Sequence, residues 1–241
     1  MKILTAAVII LVAVLIVALS ITLPILFRPF YYAQIESLGL TDPNLFSKRQ
    51  VAYWEFIGED FTQSGMTEEQ IRQSYDEMMD FCLGFSSEFS AGVLPYSESG
   101  ASHFADVRTL FIFDFVLIFV CTAALITIFV VLKKKKLKLC RFRRRSAPFW
   151  SVVSLGAISS IIGIACAINF KATFVFFHHL FFPGKTNWYF DPYTDPIIDL
   201  LPNQFFSNCA VLIFGCMVLF CGGILVYEFL TRKKFCNLDE R

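Results

Sequence analysis

The chain has 241 residues and a net charge of +1, and 56% of its residues are hydrophobic, with 29 phenylalanines. Because soluble domains are about 45–50% apolar, this composition excludes an ordinary soluble domain and predicts a protein of the lipid bilayer. The mean hydropathy of +0.61 agrees with that prediction.

Four segments carry almost no charge over a length that can span a membrane. We predict transmembrane helices at residues 1–27, 109–132, 148–170 and 206–230, because about 20 apolar residues cross a hydrocarbon core of about 30 Å. A cleaved signal peptide is the alternative for the first segment. Its uncharged run is longer than the apolar stretch of about 7–15 residues in signal peptides, which favours a retained anchor.

The basic residues predict the orientation of the chain. Lysines and arginines concentrate at residues 133–147, between the second and third spans, and such residues are enriched on the cytoplasmic side. We therefore expect this block to fix the topology rather than to bind nucleic acid. Lys2 and the tail at residues 231–241 add to it, so both termini are expected in the cytoplasm, whereas residues 28–108 and 171–205 are expected outside.

The first outside segment, residues 28–108, is expected to form an extracellular cap. Apolar side chains between Ser47 and Phe61 follow a helical stripe. Thr67 and Gln70 have the spacing of a capping box, and apolar residues follow them at helical intervals. The predicted fold is an all-α membrane protein, a four-transmembrane-helix bundle with an extracellular cap formed mainly by this first outside loop.

The eight cysteines do not indicate a disulfide-built domain or a paired-cysteine metal site. Cys82 alone is clearly outside, and Cys209 lies at the outer end of a span. The others lie in predicted spans or on the predicted cytoplasmic side. We expect most of these thiols to pack as small apolar side chains.

Ionisable residues stand where the chain enters the second span. His103 and Asp106 share a face of a helix that begins near residue 102, so the carboxylate is expected to orient the ring. Arg108 follows at the outer interface. Asp114 lies almost on the same face, and a carboxylate inside a span points to a bundle interior or a watered cavity. The alternative is a capped interface helix with incidental charges.

The stretch at residues 174–206 is the richest in chemically useful groups, and we interpret it as a functional site. The alternative is a connecting loop whose aromatic residues lie at the membrane interface. Its ionisable and stacking residues are His178, His179, Trp188, Asp191 and Asp195.

All three histidines are expected at the outer side of the membrane. His103 and His178 flank neighbouring spans, so a bundle can bring them over one cavity, where a histidine pair can act as base and acid. A zinc site is the alternative, and its candidate ligands are His103, His178, Asp191 and Asp195. Neither an H-E-x-x-H pattern nor a paired-cysteine spacing occurs, so we predict no metal and no cofactor.

Two motifs carry a family resemblance. The first is HFADVR at residues 103–108, and the second is FHHLFF at residues 177–182. The residues that continue the second motif are Trp188, Asp191-Pro192, Asp195-Pro196, Pro202 and Phe205-Phe206. With these motifs and its four-span layout, the chain resembles the bacterial lipoprotein intramolecular transacylase (Lit) family of integral membrane proteins over essentially its whole length.

The resemblance implies an acyltransferase of the bacterial cell membrane, with its active site at the extracellular face. Such an enzyme moves the sn-2 acyl chain of a lipoprotein's diacylglyceryl-cysteine to the α-amino group of that cysteine, and the product is a lyso-form lipoprotein. Its catalytic pair corresponds to His103 and His178, whereas His179 occupies a position that the motif leaves free. Asn203-Gln204 departs from the acid expected after the proline, so no charged role is assigned there.

The residues are compatible with this chemistry on their own. An amine must lose a proton to attack an ester, and the departing glycerol oxygen must gain one, so the two histidines can share the tasks. Orientation and oxyanion stabilisation remain, without a covalent acyl-enzyme. The residues that we assign to orientation, oxyanion stabilisation or substrate binding are Asp106, Arg108, Trp188, Asp191 and Asp195.

The expected partners are diacylglyceryl-modified bacterial lipoproteins and membrane lipid, with no nucleic acid and no predicted oligomeric state. Two other classes stay open, a non-enzymatic four-span scaffold or receptor and a membrane metal-dependent hydrolase. Scaffolds of the tetraspanin or claudin type depend on paired ectodomain cysteines, which the outside segments lack. A transporter would need polar residues at the middle of the membrane, and the spans have few.

Overall fold

The computed structural model describes residues 1–143 and 145–236, with side chains to residue 231. Arg144 and residues 237–241, which belong to the predicted basic loop and cytoplasmic tail, lie outside the described residues. The regular secondary structure of the described residues is helical, apart from one isolated β-bridge between Phe142 and Arg145. The prediction of an all-α protein is confirmed.

Among the described residues, four helices are long and apolar enough to cross a membrane, the same number as the predicted spans. They are α1 (Lys2–Leu26), α5 (Glu98–Lys134), α6 (Ala147–Ile168) and α8 (Asn203–Cys236). Helix α5 begins eleven residues before the predicted span at residue 109, so His103 lies on a helix continuous with that span.

The shorter helices α2 (Pro29–Tyr32), α3 (Lys48–Ile57) and α4 (Glu68–Leu83) lie between α1 and α5. Ser47 and Thr67 each accept a hydrogen bond from the backbone of a glutamine three residues later, and that glutamine accepts one in return. Helices α3 and α4 therefore begin at capping boxes, which satisfy the free amides of a first turn. Both helices end at a glycine in the left-handed conformation.

The chain divides into two compact units, and the first contains most of the apolar helical residues. It comprises Met1–Leu23, Asp114–Ile168 and the chain from Val211 onward. Ile16, Leu155 and Met217 form its buried apolar cluster.

Buried polar groups of this first unit are hydrogen-bonded. The Oγ1 of Thr22 lies 2.8 Å from Oδ2 of the buried Asp114, the carboxylate predicted to face a bundle interior. The carboxylate of Glu228 accepts hydrogen bonds from the backbone amide (3.2 Å) and the hydroxyl (2.6 Å) of Ser146. These contacts match the rule that polar groups in an apolar interior are paired.

The second unit comprises Pro24–Phe113 and Asn169–Ala210, so it combines residues from both segments that were expected outside. Helix α7 (Phe170–Phe181) and a 3-10 helix (Pro196–Leu200) belong to it. The first outside segment does not form a unit by itself, because its core residues bond to the second segment.

Two buried aromatic residues join these segments. The hydroxyl of Tyr31, whose ring stacks on Tyr75 at 3.8 Å, donates to the carbonyl of Leu200 (3.0 Å). The indole N–H of Trp54 donates to the carbonyl of Tyr193 (2.6 Å). Because both rings are almost completely buried, their polar atoms need these partners.

Candidate active site

His103 and His178 come together in the second unit. His103 lies in the second turn of α5 and His178 in the last turn of α7. The centres of their rings are 5.8 Å apart, and the ring planes meet at 33°. Their exposed fractions are 5% and 7%, so bulk water has little access to either ring.

His178 lies on a separate helix, α7, because α6 ends before it. Helix α6 stops at Ile168, and Asn169 adopts an extended backbone conformation. The side chain of Asn169 then accepts the amide of Ala172, the usual arrangement of an N-cap. A new helix begins at Phe170, and its last turn carries the aromatic run and His178.

Aromatic rings enclose the histidine pair. Phe182 lies 5.1 Å from the ring centre of His103 and 5.7 Å from that of His178. Phe190 lies 5.4 Å from His103, and Trp188 lies 4.7 Å from His178. Phe182, Trp188 and Phe190 all belong to the loop at residues 182–190, which follows α7. This loop thus forms an apolar wall around two groups that can exchange protons.

His178 is fixed in one tautomer by its own helix. Its Nδ1 lies 2.8 Å from the carbonyl oxygen of Phe174, which can only accept, so the ring donates from Nδ1. In the neutral ring, Nε2 therefore keeps its lone pair. Burial lowers the pKa of His178 from the ordinary 6.5, the hydrogen bond to Phe174 opposes this, and the charge of His179 lowers it further. A neutral imidazole with a free Nε2 has the properties of a general base.

His103 has a different hydrogen-bonding state. Its Nδ1 is buried and finds no partner among the described residues. Most buried polar atoms in proteins are paired, and an unpaired one costs about 1–3 kcal/mol. Such an atom in a site is a candidate contact for a substrate.

We predicted that Asp106 orients His103, but no hydrogen bond joins Asp106 to Nδ1 of that ring. Instead, the carboxylate of Asp106 accepts from the ammonium of Lys185 and from the amide nitrogen of Asn187 (3.0 Å). The same amide nitrogen lies 3.3 Å from the hydroxyl of Ser102. The physical reason is competition, because a lysine ammonium is a stronger partner for a carboxylate than a neutral ring.

Asp195 holds the start of α5 rather than a histidine ring. Its carboxylate accepts the backbone amide of Ser97 (2.8 Å) and the hydroxyls of Ser97 (2.7 Å) and Thr194 (2.8 Å). Asp191 accepts the amide of Tyr193 (3.0 Å) through its side chain and the amide of Asp195 (2.8 Å) through its backbone. Both aspartates therefore shape the Asp-Pro loop, and Asp195 also ties that loop to the helix of His103.

Of the five residues assigned to orientation, oxyanion stabilisation or substrate binding, Arg108 and Trp188 carry side-chain N–H donors, and both already have an acceptor. Arg108 donates to the carbonyl of Ser86 (2.9 Å), and its guanidinium lies over the ring of Phe81 at 5.1 Å. The indole N–H of Trp188 donates to the carbonyl of Lys185 (3.0 Å). The contact that Trp188 makes with the histidine pair is thus made through its ring.

His179, which the motif leaves free, is exposed and meets Trp188 edge-on with ring centres 5.3 Å apart. Among residues 1–143 and 145–231, no group of three or more histidine, cysteine, aspartate or glutamate side chains is arranged to hold a metal. The four alternative zinc ligands therefore do not converge.

Sequence reasoning missed Phe190, which contacts His103, and Lys185 and Asn187, which bind Asp106. Phe190 had a signal, since it falls two residues after Trp188 in an aromatic run. Lys185 and Asn187 had none, because their partner Asp106 is 79 and 81 residues away in the chain.

Comparisons with known proteins identified one matching family and solved structures that share one fold. The model of the lipoprotein intramolecular transacylase Lit family matches residues 6–206. No match was found among curated protein sequences. Three solved structures of the membrane integral lipoprotein intramolecular transacylase Lit from Bacillus cereus are similar to this chain.

The first of these structures is 24% identical, covers 98% of this chain and 97% of its own, and has a TM-score of 0.75. A variant with a histidine replaced by alanine is 21% identical, covers 97% and 95%, and has a TM-score of 0.69. A variant with a histidine replaced by arginine is 24% identical, covers 98% and 94%, and has a TM-score of 0.68. At these identities the structures establish a shared fold.

Proposed function

Because the chain belongs to the lipoprotein intramolecular transacylase family, we propose that it moves the sn-2 acyl chain of diacylglyceryl-cysteine to the α-amino group of the same cysteine. The product is a lyso-form lipoprotein. Family membership makes the chain an acyltransferase, and its four span-like helices and the shared fold make it a multi-pass membrane protein. The observation that carries the proposed mechanism is the enclosed pair of His103 and His178.

The transfer needs one proton to move from nitrogen to oxygen. The amine nitrogen attacks the ester carbonyl, a C–N bond forms, and the C–O bond to glycerol breaks. His178 takes the proton of the amine at Nε2, whose lone pair is free because Nδ1 is engaged by Phe174. The glycerol oxygen receives this same proton from the histidine pair as it leaves, so the pair returns to its starting protonation state. No electron donor or acceptor is required.

His103 completes the proton path. With ring centres 5.8 Å apart, one substrate heteroatom between the rings can lie within hydrogen-bond distance, about 2.7–3.2 Å, of a nitrogen on each. The unpaired Nδ1 of His103 gains a partner from the substrate in such an arrangement. Because both groups that react belong to one molecule, holding them between the rings is a large part of the catalysis.

The oxyanion of the tetrahedral intermediate needs a donor in the same enclosed space. Arg108 and Trp188 donate to backbone carbonyls, so we assign this role to the imidazolium that forms when the pair takes up the first proton. A cation in a buried, apolar site interacts strongly with a developing negative charge. Arg108 and Trp188 then keep structural roles.

Lipid reaches the site along the membrane. Helix α7 exposes Phe176, Phe177, Leu180 and Phe181, which suits contact with acyl chains. We propose that both termini are cytoplasmic and that the second unit is an extracellular cap containing the site. The support is the basic block at residues 133–147, which favours the cytoplasmic side.

Mass spectrometry of lipoprotein N-termini tests this function. The chain is produced in a bacterium whose lipoproteins carry a diacylglyceryl-cysteine with a free amine. The expected result is a peptide of unchanged total acyl mass whose α-amine is blocked and whose glycerol carries one chain. Unchanged N-termini in the presence of membrane-inserted protein would contradict the proposal and support a scaffold instead.

A further inference from the structure

The loop at residues 182–190 closes the site in the observed conformation. It supplies Phe182, Trp188 and Phe190, the rings that contact the histidine pair. Few backbone hydrogen bonds hold it internally, and among them are Lys185 to Phe182 (3.1 Å) and Tyr189 to Thr186 (3.1 Å). Its position therefore depends on contacts outside the loop.

The polar contacts of the loop converge on one carboxylate. Lys185 and Asn187 both donate to Asp106, which lies three residues after His103 and so on the same side of α5. Asn187 adds a longer contact with Ser102. We name Lys185, Asn187 and Asp106 the clasp.

Lys185 of the clasp lies only three residues before Trp188, whose ring contacts His178. The carbonyl of Lys185 accepts the indole N–H of Trp188, three residues along the loop. A displacement of Lys185 therefore displaces Trp188, whose ring centre is 4.7 Å from that of His178. A change in the position of the clasp therefore changes how Trp188 packs against His178.

The exposure of these groups indicates a contact that can open. The side chain of Lys185 is 48% exposed and that of Asp106 is 20% exposed, so water and salt screen the pair. The histidines behind the loop are almost completely buried, and a diacylglyceryl-cysteine cannot reach them without displacing residues of the wall. A partly exposed, screened ion pair over a closed site is suited to release and re-form.

We propose that the clasp positions the loop at residues 182–190 over the histidine pair, so that Lys185 and Asn187 are positioning residues for acyl transfer and act through Asp106. This role rests on the proposed function. The clasp opens for the substrate to enter and re-forms to exclude water during the transfer. Its residues do not touch the reacting atoms.

The test uses the full-length protein in detergent and measures hydrogen–deuterium exchange of a peptide covering residues 182–190. Asp106→Ala removes the acceptor without changing the sequence of that peptide, and Lys185→Met removes the cation. We expect exchange in the loop to rise at least threefold in both variants, with α4 unchanged. Lys185→Arg, which keeps the ion pair, restores the slow exchange.

The kinetic readout is the pH profile of lyso-lipoprotein formation. An open loop lets water reach His178 and returns its pKa towards 6.5, so the acid limb moves to higher pH and kcat falls at least tenfold. A residue needed only for stability would lower the amount of folded protein without moving the limb. The matched control is Glu68→Gln, which removes the exposed Arg72–Glu68 ion pair on α4 and should change neither readout.

Unchanged exchange in both folded variants would overturn the clasp, and so would faster exchange with an unmoved acid limb. The exchange measurement needs no substrate. Wild-type protein that forms no lyso-lipoprotein would therefore refute the proposed function, whereas the exchange data would still decide whether the clasp holds the loop.

Discussion

The two histidines of the pair differ in the atoms that they offer. His178 has one nitrogen committed to the carbonyl of Phe174, which leaves Nε2 free, whereas His103 has a buried Nδ1 with no partner in the described chain. This difference supports separate roles, in which His178 is the base and His103 passes the proton to the leaving glycerol oxygen. It arises locally, because the carbonyl of Phe174 belongs to the preceding turn of the helix that carries His178.

The lowered pKa of His178 predicts the pH dependence of the reaction. A histidine that acts as a base is lost when it is protonated, so activity falls as the pH drops through its pKa in the folded protein. Because burial lowers that pKa, we expect the enzyme's own acid limb of kcat/KM to lie below pH 6.5, separate from the limb of the substrate α-amine, whose ordinary pKa is about 7.7–8.0. The measurement is lyso-lipoprotein formation between about pH 4.5 and 8.5, a range that brackets the ordinary histidine pKa. The absence of any limb below 6.5, after the limb of the substrate amine is accounted for, would contradict this assignment of the base.

Some features of single residues could be predicted from the sequence, and others could not. His103 and His178 were recognisable as a candidate pair, because both flank predicted spans and lie in the two motifs. The hydrogen bonds of Asp106 and Trp188 were not predictable, since Asp106 depends on how the loop folds against α5 and Trp188 on the fold of the loop itself. Arg108 illustrates the same limit, because its acceptor Ser86 lies 22 residues earlier in an irregular segment.

At the level of elements, the site depends on where helices begin. Asp195 anchors the start of α5 through Ser97, and Asn169 starts α7 one residue after α6 ends. The sequence predicted four long apolar helices, because long uncharged runs are easily recognised in a chain of this composition. It predicted a loop from residue 171 onward, whereas the structure has α7 there, because an aromatic run after a polar Asn169 also fits an interfacial loop.

Gly100 gives a prediction for the start of α5. A Cβ at this position would lie 2.1 Å from Oδ1 of Asp195 and 3.2 Å from the ring of Phe190. Gly100→Ala must therefore displace the anchor of α5, and overpacking of this kind costs about 1–3 kcal/mol. We expect a lower Tm in thermal unfolding of the purified protein, together with reduced activity.

The control for this substitution is Gly156→Ala in α6, where a Cβ meets no atom within 4 Å. It tests the general effect of alanine in a helix, and we expect no loss of stability. If both variants unfold at the wild-type temperature and keep full activity, Asp195 does not constrain the start of α5.

For the whole molecule, the second unit draws residues from both segments that the sequence analysis expected outside the membrane. The hydrogen bonds of Tyr31 and Trp54 to the second segment explain why the first does not stand alone. A sequence-based boundary at residues 28–108 could not include these contacts, since they join positions more than 130 residues apart. The shared fold with the Bacillus cereus structures at about one quarter identity fits a chain whose helices need only apolar length.

The most direct test of the account is the mass spectrum of lipoprotein N-termini from cells that carry wild-type protein, His103→Ala, His178→Ala or His179→Ala. Removing a general acid or base typically lowers a rate by about 10²–10⁴-fold, so we predict that lyso-form lipoprotein disappears with either substitution of the pair. The exposed His179 serves as the control and should keep activity. Membrane levels measured by immunoblot should stay equal. Normal lyso-form production by both His103→Ala and His178→Ala would contradict the central claim that this pair carries out the transfer.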